Sequence, residues 1–239
     1  MKTLTRWPLT SGVALVAVLV AATLWLLPGS DDTARSGDQA ITGLQWRVGS
    51  SQQYQLQFDS TMRTQTNPAN AGQGMHVQMV GLLDMQTLAV QGTNDITTAV
   101  LGMRLADIEL KVNGDSDPET NAALTAPFRV HFSASGLPEK FEFGANVNAQ
   151  HRSMLENLVR TFQVSIEDGR SWLAQESNAT GAYEAKYQRI DLGRVEKSKH
   201  NFLNLPAASM LADADISSTE LIQLDRQHDW LTAMTINET

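Results

Sequence analysis

From residue 53 onward the chain repeats its hydrophobicity every second residue, and this alternation narrows the possible fold more than any other property. Tyr54, Leu56 and Phe58 alternate with Gln53, Gln55 and Gln57, and Met75, Val77 and Met79 alternate with His76 and Gln78, the pattern running on through Leu83 and Met85. Successive side chains of a strand point to opposite faces, so these runs predict antiparallel strands with one buried and one solvated face. Leu101, Met103 and Leu105 form another set, after which Ile108, Leu110 and Val112 resume in the opposite parity. A one-residue slip would turn an apolar set to water, so a bulge is expected near Ala106 and Asp107. Phe128, Val130 and Phe132 predict a strand whose hairpin partner holds Phe141 and Phe143, across the turn Ser135-Gly136-Leu137-Pro138. Tyr183, Ala185 and Tyr187, residues 194–199, Ile222 with Leu224, and the run Trp230, Thr232, Met234 and Ile236 continue the strand pattern. Turn clusters at 67–72 and 113–118 separate long strands, residues 226–229 make the last turn, and residues 205–214 read as a loop or short helix.

Between Asn148 and about Ser165 the period changes to 3.6. Leu155, Val159, Phe162 and Ile166 share one side with Met154 and Leu158, Arg152, Glu156 and Arg160 lie opposite, and Asn148 is placed to cap. Many long strands with one apolar helix predict a mainly β fold: an antiparallel β-barrel or half-barrel, residues 43–239, with the helix central. The last strand ends close to residue 239 with nothing after it to close the sheet, so a domain truncated at its C-terminal end is one reading.

Lys2 and Arg6 precede a run from Gly12 to Leu27 without a charge, and Asp31 and Asp32 follow. That order predicts insertion with the start inside and the remainder outside the cytoplasm. Trp25-Leu26-Leu27-Pro28 before Gly29-Ser30 is a poor cleavage site, so residues 1–30 are expected to be a transmembrane signal anchor, or else a cleaved signal peptide. Residues 31–42 read as a polar tether. The expected location is the inner membrane, single-pass, with the folded domain in the periplasm, or secreted if the leader is removed. Asn178-Ala179-Thr180 and Asn237-Glu238-Thr239 are sequons that would take glycans only in a secreted eukaryotic chain.

A net charge of −8 opposes binding to nucleic acid. With no cysteine the chain has no disulfide, thiolate metal site or thiol nucleophile. The five histidines show no metal-ligand spacing, and no nucleotide-binding or nucleophile-elbow motif is present. The expectation is a protein that is not an enzyme and needs no metal or cofactor. Two residue sets stand out. Met75, Met79, Met85 and Met103, with the helix positions Leu155, Val159 and Phe162, read either as ordinary core or as the adaptable lining of a cavity for lipid. Arg189, Arg194, Lys197 and Lys199 belong to the only basic stretch, which reads as a solvated face or as a contact for an anionic headgroup or an envelope protein partner.

From Pro127 onward the order of features resembles the N-terminal β-barrel of the large lipid transfer proteins, the family of vitellogenin, apolipoprotein B and the microsomal triglyceride transfer protein. The matching pieces are Pro127-Phe128-x-x-x-Phe132 followed by Gly136, the asparagine-led helix ending in Asn157-Leu158-Val159-Arg160-Thr161-Phe162-Gln163, and Glu176 to Gly181-x-Tyr183-x-x-x-Tyr187. Gly43-Leu44 with Tyr54 likewise looks like the family's first strand. Tyr183 stands where the family has a cysteine and Ala185 where it has a threonine, so its disulfide is missing here. The resemblance implies a barrel used for docking to a partner or lipid assembly. The expected function is a membrane-tethered, extracytoplasmic lipid-binding or lipid-transfer module, with a non-catalytic envelope protein-protein interaction domain as the alternative.

Overall fold

The computed structural model describes residues 15–26, 44, 46–64, 75–93, 96–179, 181–204, 217–225 and 230–238. The tether, the turns at 67–72 and 226–229, and residues 205–214 lie outside them. The strands are β1 (Leu15–Leu26), β2 (Ser51–Thr64), β3 (Met75–Thr93), β4 (Ile96–Val112), β5 (Asp115–Ser116), β6 (Phe128–Phe132), β7 (Pro138–Phe143), β8 (Ser171–Ser177), β9 (Ala182–Arg189), β10 (Arg194–Asn204), β11 (Ser217–Asp225) and β12 (Trp230–Glu238). Helix α1 (Pro118–Leu124) follows β5 and α2 (Ala149–Thr161) joins β7 to β8. All strands belong to one 12-stranded antiparallel sheet in the order β7-β6-β4-β3-β2-β1-β12-β11-β10-β9-β8, with β5 paired to β4. Among the described residues the sheet is open, with β7 and β8 as its two ends, so the closed-barrel form of the expectation does not hold.

Residues 15–26, within the segment expected to be a membrane anchor, form strand β1, paired with β2 on one side and β12 on the other; the rest of residues 1–30 lies outside the described residues. Val16, Val18, Val20 and Thr23 are β-branched and favour extended backbone; the ladder to β2 runs from Leu15 to Leu26 and the ladder to β12 from Val20 to Trp25. β1 is the seam between β2–β7 and β8–β12 in this sheet. Among the described residues no helix is long and apolar enough to cross a membrane.

The expected bulge is present. The β3–β4 register shifts between Val80↔Glu109 and Leu82↔Ala106, with Asp107 at φ 49°. Gly81 faces this kink, where an added Cβ would come within 3.1 Å of Ile108 Cα, so the bulge needs a glycine partner. Helix α1 was not anticipated, although Asp117-Pro118 carries its start signals: the Asp117 carboxylate accepts from Glu119 N, and proline opens the first turn.

Helix α2 starts on Asn148, whose side chain accepts from His151 N, but ends at Thr161, short of the expected Ser165. Residues 162–166 are all buried and trade helical bonds for tertiary ones: Ser165 N donates to Tyr187 Oη at 3.0 Å and Ile166 N to Ser135 O at 3.0 Å. Leu155 and Val159 of α2 share a single core with Leu24, Tyr54, Leu101, Met103, Val130, Tyr183 and Met234. Burying one such leucine contributes about 1.5–3 kcal/mol. Tyr54 Oη donates to Leu231 O at 2.9 Å, reaching from β2 past β1 to β12.

Candidate functional site

On β8 to β11 the inward parity carries charge. Glu176 continues the row of Trp172 and Ala174, Lys197 and Lys199 continue that of Val195, and Glu220 that of Ile222 and Leu224. Each of these four charged residues is at most 4% exposed. Lys197 Nζ lies 2.8 Å from Glu176 Oε2 and donates to Gln163 O at 3.0 Å. It also lies 3.1 Å from Glu220 Oε2, which lacks hydrogen-bond alignment, so that contact is Coulombic. Lys199 Nζ sits 2.7 Å from Glu220 Oε1. Tyr183 donates to Glu176 Oε2 at 2.9 Å and Tyr187 to Glu176 Oε1. Gln163 Nε2 closes the network on Tyr183 Oη at 2.9 Å.

Two acids balance two bases here, which is what makes their burial tolerable. Burial first, and then the charge on Glu176, hold both phenols well above their ordinary pKa, so they stay proton donors. No member is exposed to substrate, and among the described residues no group of His, Cys, Asp and Glu is arranged to hold a metal. The network braces four strands against the segment after α2.

The expected lipid-facing set divides. Met79, Met103, Leu155, Val159 and Phe162 are buried and Met85 is half-buried, whereas Met75 is 39% exposed at the start of β3. Beneath α2 the space left over is about 70 Å³, bordered by Leu24, Met85, Met103, Val159 and Phe162. That is far below the roughly 300–1,000 Å³ of clefts that hold small molecules, so the methionines there pack as core.

Ligand-sized space lies elsewhere, in an open trough of about 910 Å³ that crosses β2, β3, β4, β6 and β7. Its floor is the cross-strand row Gln86, Gly102, Arg129 and Glu142. The β3–β4 register shifts a second time between Thr87 and Ala89, and Leu88 leans over Gly102, with Cδ1 3.2 Å from where a Cβ would stand. Asp84 accepts from Arg104 at 2.8 Å and from Gln53 at 2.6 Å. Burial works to raise its pKa, and those two hydrogen bonds overcome it, leaving the carboxyl below its ordinary range. Glu142 is taken by Lys140 at 2.7 Å and His131 at 3.0 Å. Its opposite number Arg129 is exposed and, among the described residues, has no hydrogen bond or ion pair. The trough thus offers one uncommitted guanidinium beside Leu88, Pro127 and Phe143.

The four basic residues expected to share a contact face do not. Lys197 and Lys199 are interior, as described. Arg194 is exposed and paired with Asp191 at 2.7 Å. Arg189 folds back over Trp172, its Cζ 5.5 Å from the ring centroid, and donates to Gly169 O and Glu167 O. The reason is strand parity: Lys197 and Lys199 fall in step with Val195, Arg194 out of step. Parity was the signal available in the sequence for the buried lysines, and it had matching acids in Glu176 and Glu220. Asn178 accepts from Gly181 N at 3.1 Å in the turn between β8 and β9. Compared with protein-family models, curated proteins and solved structures, the chain found no match.

Proposed function

We propose that this chain is a non-catalytic, extracytoplasmic lipid-handling module, a half-barrel around α2 that binds amphiphile in its outer trough. The carrying observation is the trough itself: ligand-sized space, apolar contacts at Leu88, Pro127 and Phe143, and Arg129 with no internal partner among the described residues. A guanidinium beside apolar surface suits a carboxylate or phosphate joined to hydrocarbon. The order of charge and hydrophobicity in residues 1–30 supports export, and the resemblance of the Pro127 to Tyr187 features to large lipid transfer proteins supports lipid as cargo. Residues 15–26 cannot be β1 and a membrane span at once, so tethering through them belongs to a state in which β2 and β12 have parted from that seam.

The test is ligand analysis. Full-length protein is purified and its extract read by mass spectrometry, then titrated with a fluorescent fatty acid. Co-purifying lipid, with uptake cut at least about tenfold by Arg129→Glu, is the expected result. Protein that is repeatedly lipid-free and takes up no probe, or uptake indifferent to Arg129→Glu, overturns it. The second reading, an interaction domain that docks an envelope protein, draws on the filled interior beneath α2. A single dominant protein adduct on in-cell crosslinking from Arg129 would favour it.

A further inference from the structure

The two ends of the sheet are protected unequally. β7 carries Pro138, Glu139, Lys140 and Glu142, the proline and charges that keep an edge from pairing with another chain. β8 reads Ser-Trp-Leu-Ala-Gln-Glu-Ser, and its only charge, Glu176, points inward. Its outward row is Ser171, Leu173, Gln175 and Ser177, with Leu173 57% exposed.

The phase of its backbone is fixed. Arg189 N donates to Arg170 O at 2.9 Å, and the register runs Ser171↔Gln188, Trp172↔Tyr187 and onward. Hydrogen-bonded pairs alternate, so Trp172, Ala174 and Glu176 bond to β9 while Ser171, Leu173, Gln175 and Ser177 turn their peptide groups to the open side. Ser177 O is already taken by Gln163 Nε2 at 3.0 Å. Three residues are left, Ser171, Leu173 and Gln175, and they are symmetric about Leu173.

We infer that β8 is a self-pairing edge, joining antiparallel to β8 of a second copy with the two-fold axis at Leu173. In that register Leu173 faces its own copy and Ser171 faces Gln175, and every free peptide group on those three residues finds a partner. Leucine meets leucine on the outer face, polar meets polar beside it, and no like charges oppose. A heterologous partner strand would have no need of this symmetry. The inference is independent of lipid binding, since β8 does not border the trough.

Full-length protein is studied in detergent by sedimentation across the micromolar range, and by mild oxidation of single-cysteine variants, since the chain has no cysteine of its own. A concentration-dependent dimer is expected, weakened more than about tenfold by Leu173→Lys, which sets like charges opposite each other on an exposed site that folding does not need. The Leu173→Cys variant should crosslink to its copy, because hydrogen-bonded antiparallel pairs stand about 5.5 Å apart at Cα, within disulfide reach. The Ile190→Cys variant, equally placed in solvent at 49% exposure, should not. A chain that stays monomeric throughout, a dimer indifferent to Leu173→Lys, or a Leu173→Cys variant that crosslinks no faster than Ile190→Cys overturns the inference.

Discussion

Strands β2–β7 and strands β8–β12 follow the same two-residue alternation, yet their inward faces differ in kind. In the first group Leu83, Leu101, Leu105, Phe128 and Val130 bury hydrocarbon, joined among the described residues by the hydroxyls of Ser60 and Thr87 and by no buried charge. In the second, Glu176, Lys197, Lys199 and Glu220 stand in the same rows as Trp172, Val195 and Ile222. Alternation therefore states which face is buried without stating what it buries. A hydrocarbon face tolerates loss by leaving a cavity, with a cost graded by volume. An ionic face is balanced only while every partner is present.

Glu176→Ala should be the most damaging single change, at about 3–5 kcal/mol by urea unfolding, because it strips one partner from Lys197 and the acceptor from two phenols. Adding Lys197→Met should recover much of that loss, and a double variant as unstable as the single one would show that the network is not held by charge. Leu155→Ala, on the fully buried side of α2, should cost about 2–5 kcal/mol with no second substitution able to restore it so simply.

Alkaline pH gives a smaller and more specific probe. The folded-state pKa values of Tyr183 and Tyr187 are raised, so the folded chain holds those protons more tightly than the unfolded one. Their contribution is full below about pH 10, the unfolded value, and is lost as pH climbs above it. The urea midpoint should fall in that range, and phenolate absorbance of the two residues should rise only as the chain unfolds. Phenolate appearing well before unfolding would remove the network's closed character. Least of all, Arg104→Ala on the exposed Asp84 pair should cost no more than about 1 kcal/mol, and less in high salt.

The strands were legible because one face of each meets water, and the contrast survives in sequence. The β3–β4 bulge was legible for the same reason, since Leu105 and Ile108 break parity. Asn148 announced the start of α2, but its end did not show, because residues 162–166 leave the helix for bonds with Tyr187 and Ser135 that lie far along the chain. The strand form of residues 15–26 is not legible, because eleven apolar residues and Thr23 suit a bilayer and a paired strand alike. The trough could not be read at all: its floor is Gly102 between Gln86 and Arg129, and its wall depends on the bend that carries Leu88 over that glycine. The buried lysines were readable in principle from their step with Val195, but lysine on a strand is usually at the surface.

In oxidising compartments, neighbouring strands are often fastened by covalent sulfur bridges. This chain fastens β8, β9, β10 and β11 through Glu176, Tyr183, Lys197 and Glu220 instead. Its clasp is therefore indifferent to the redox state of its surroundings and to any thiol-handling helper. Nothing in it waits on the formation of a sulfur bridge.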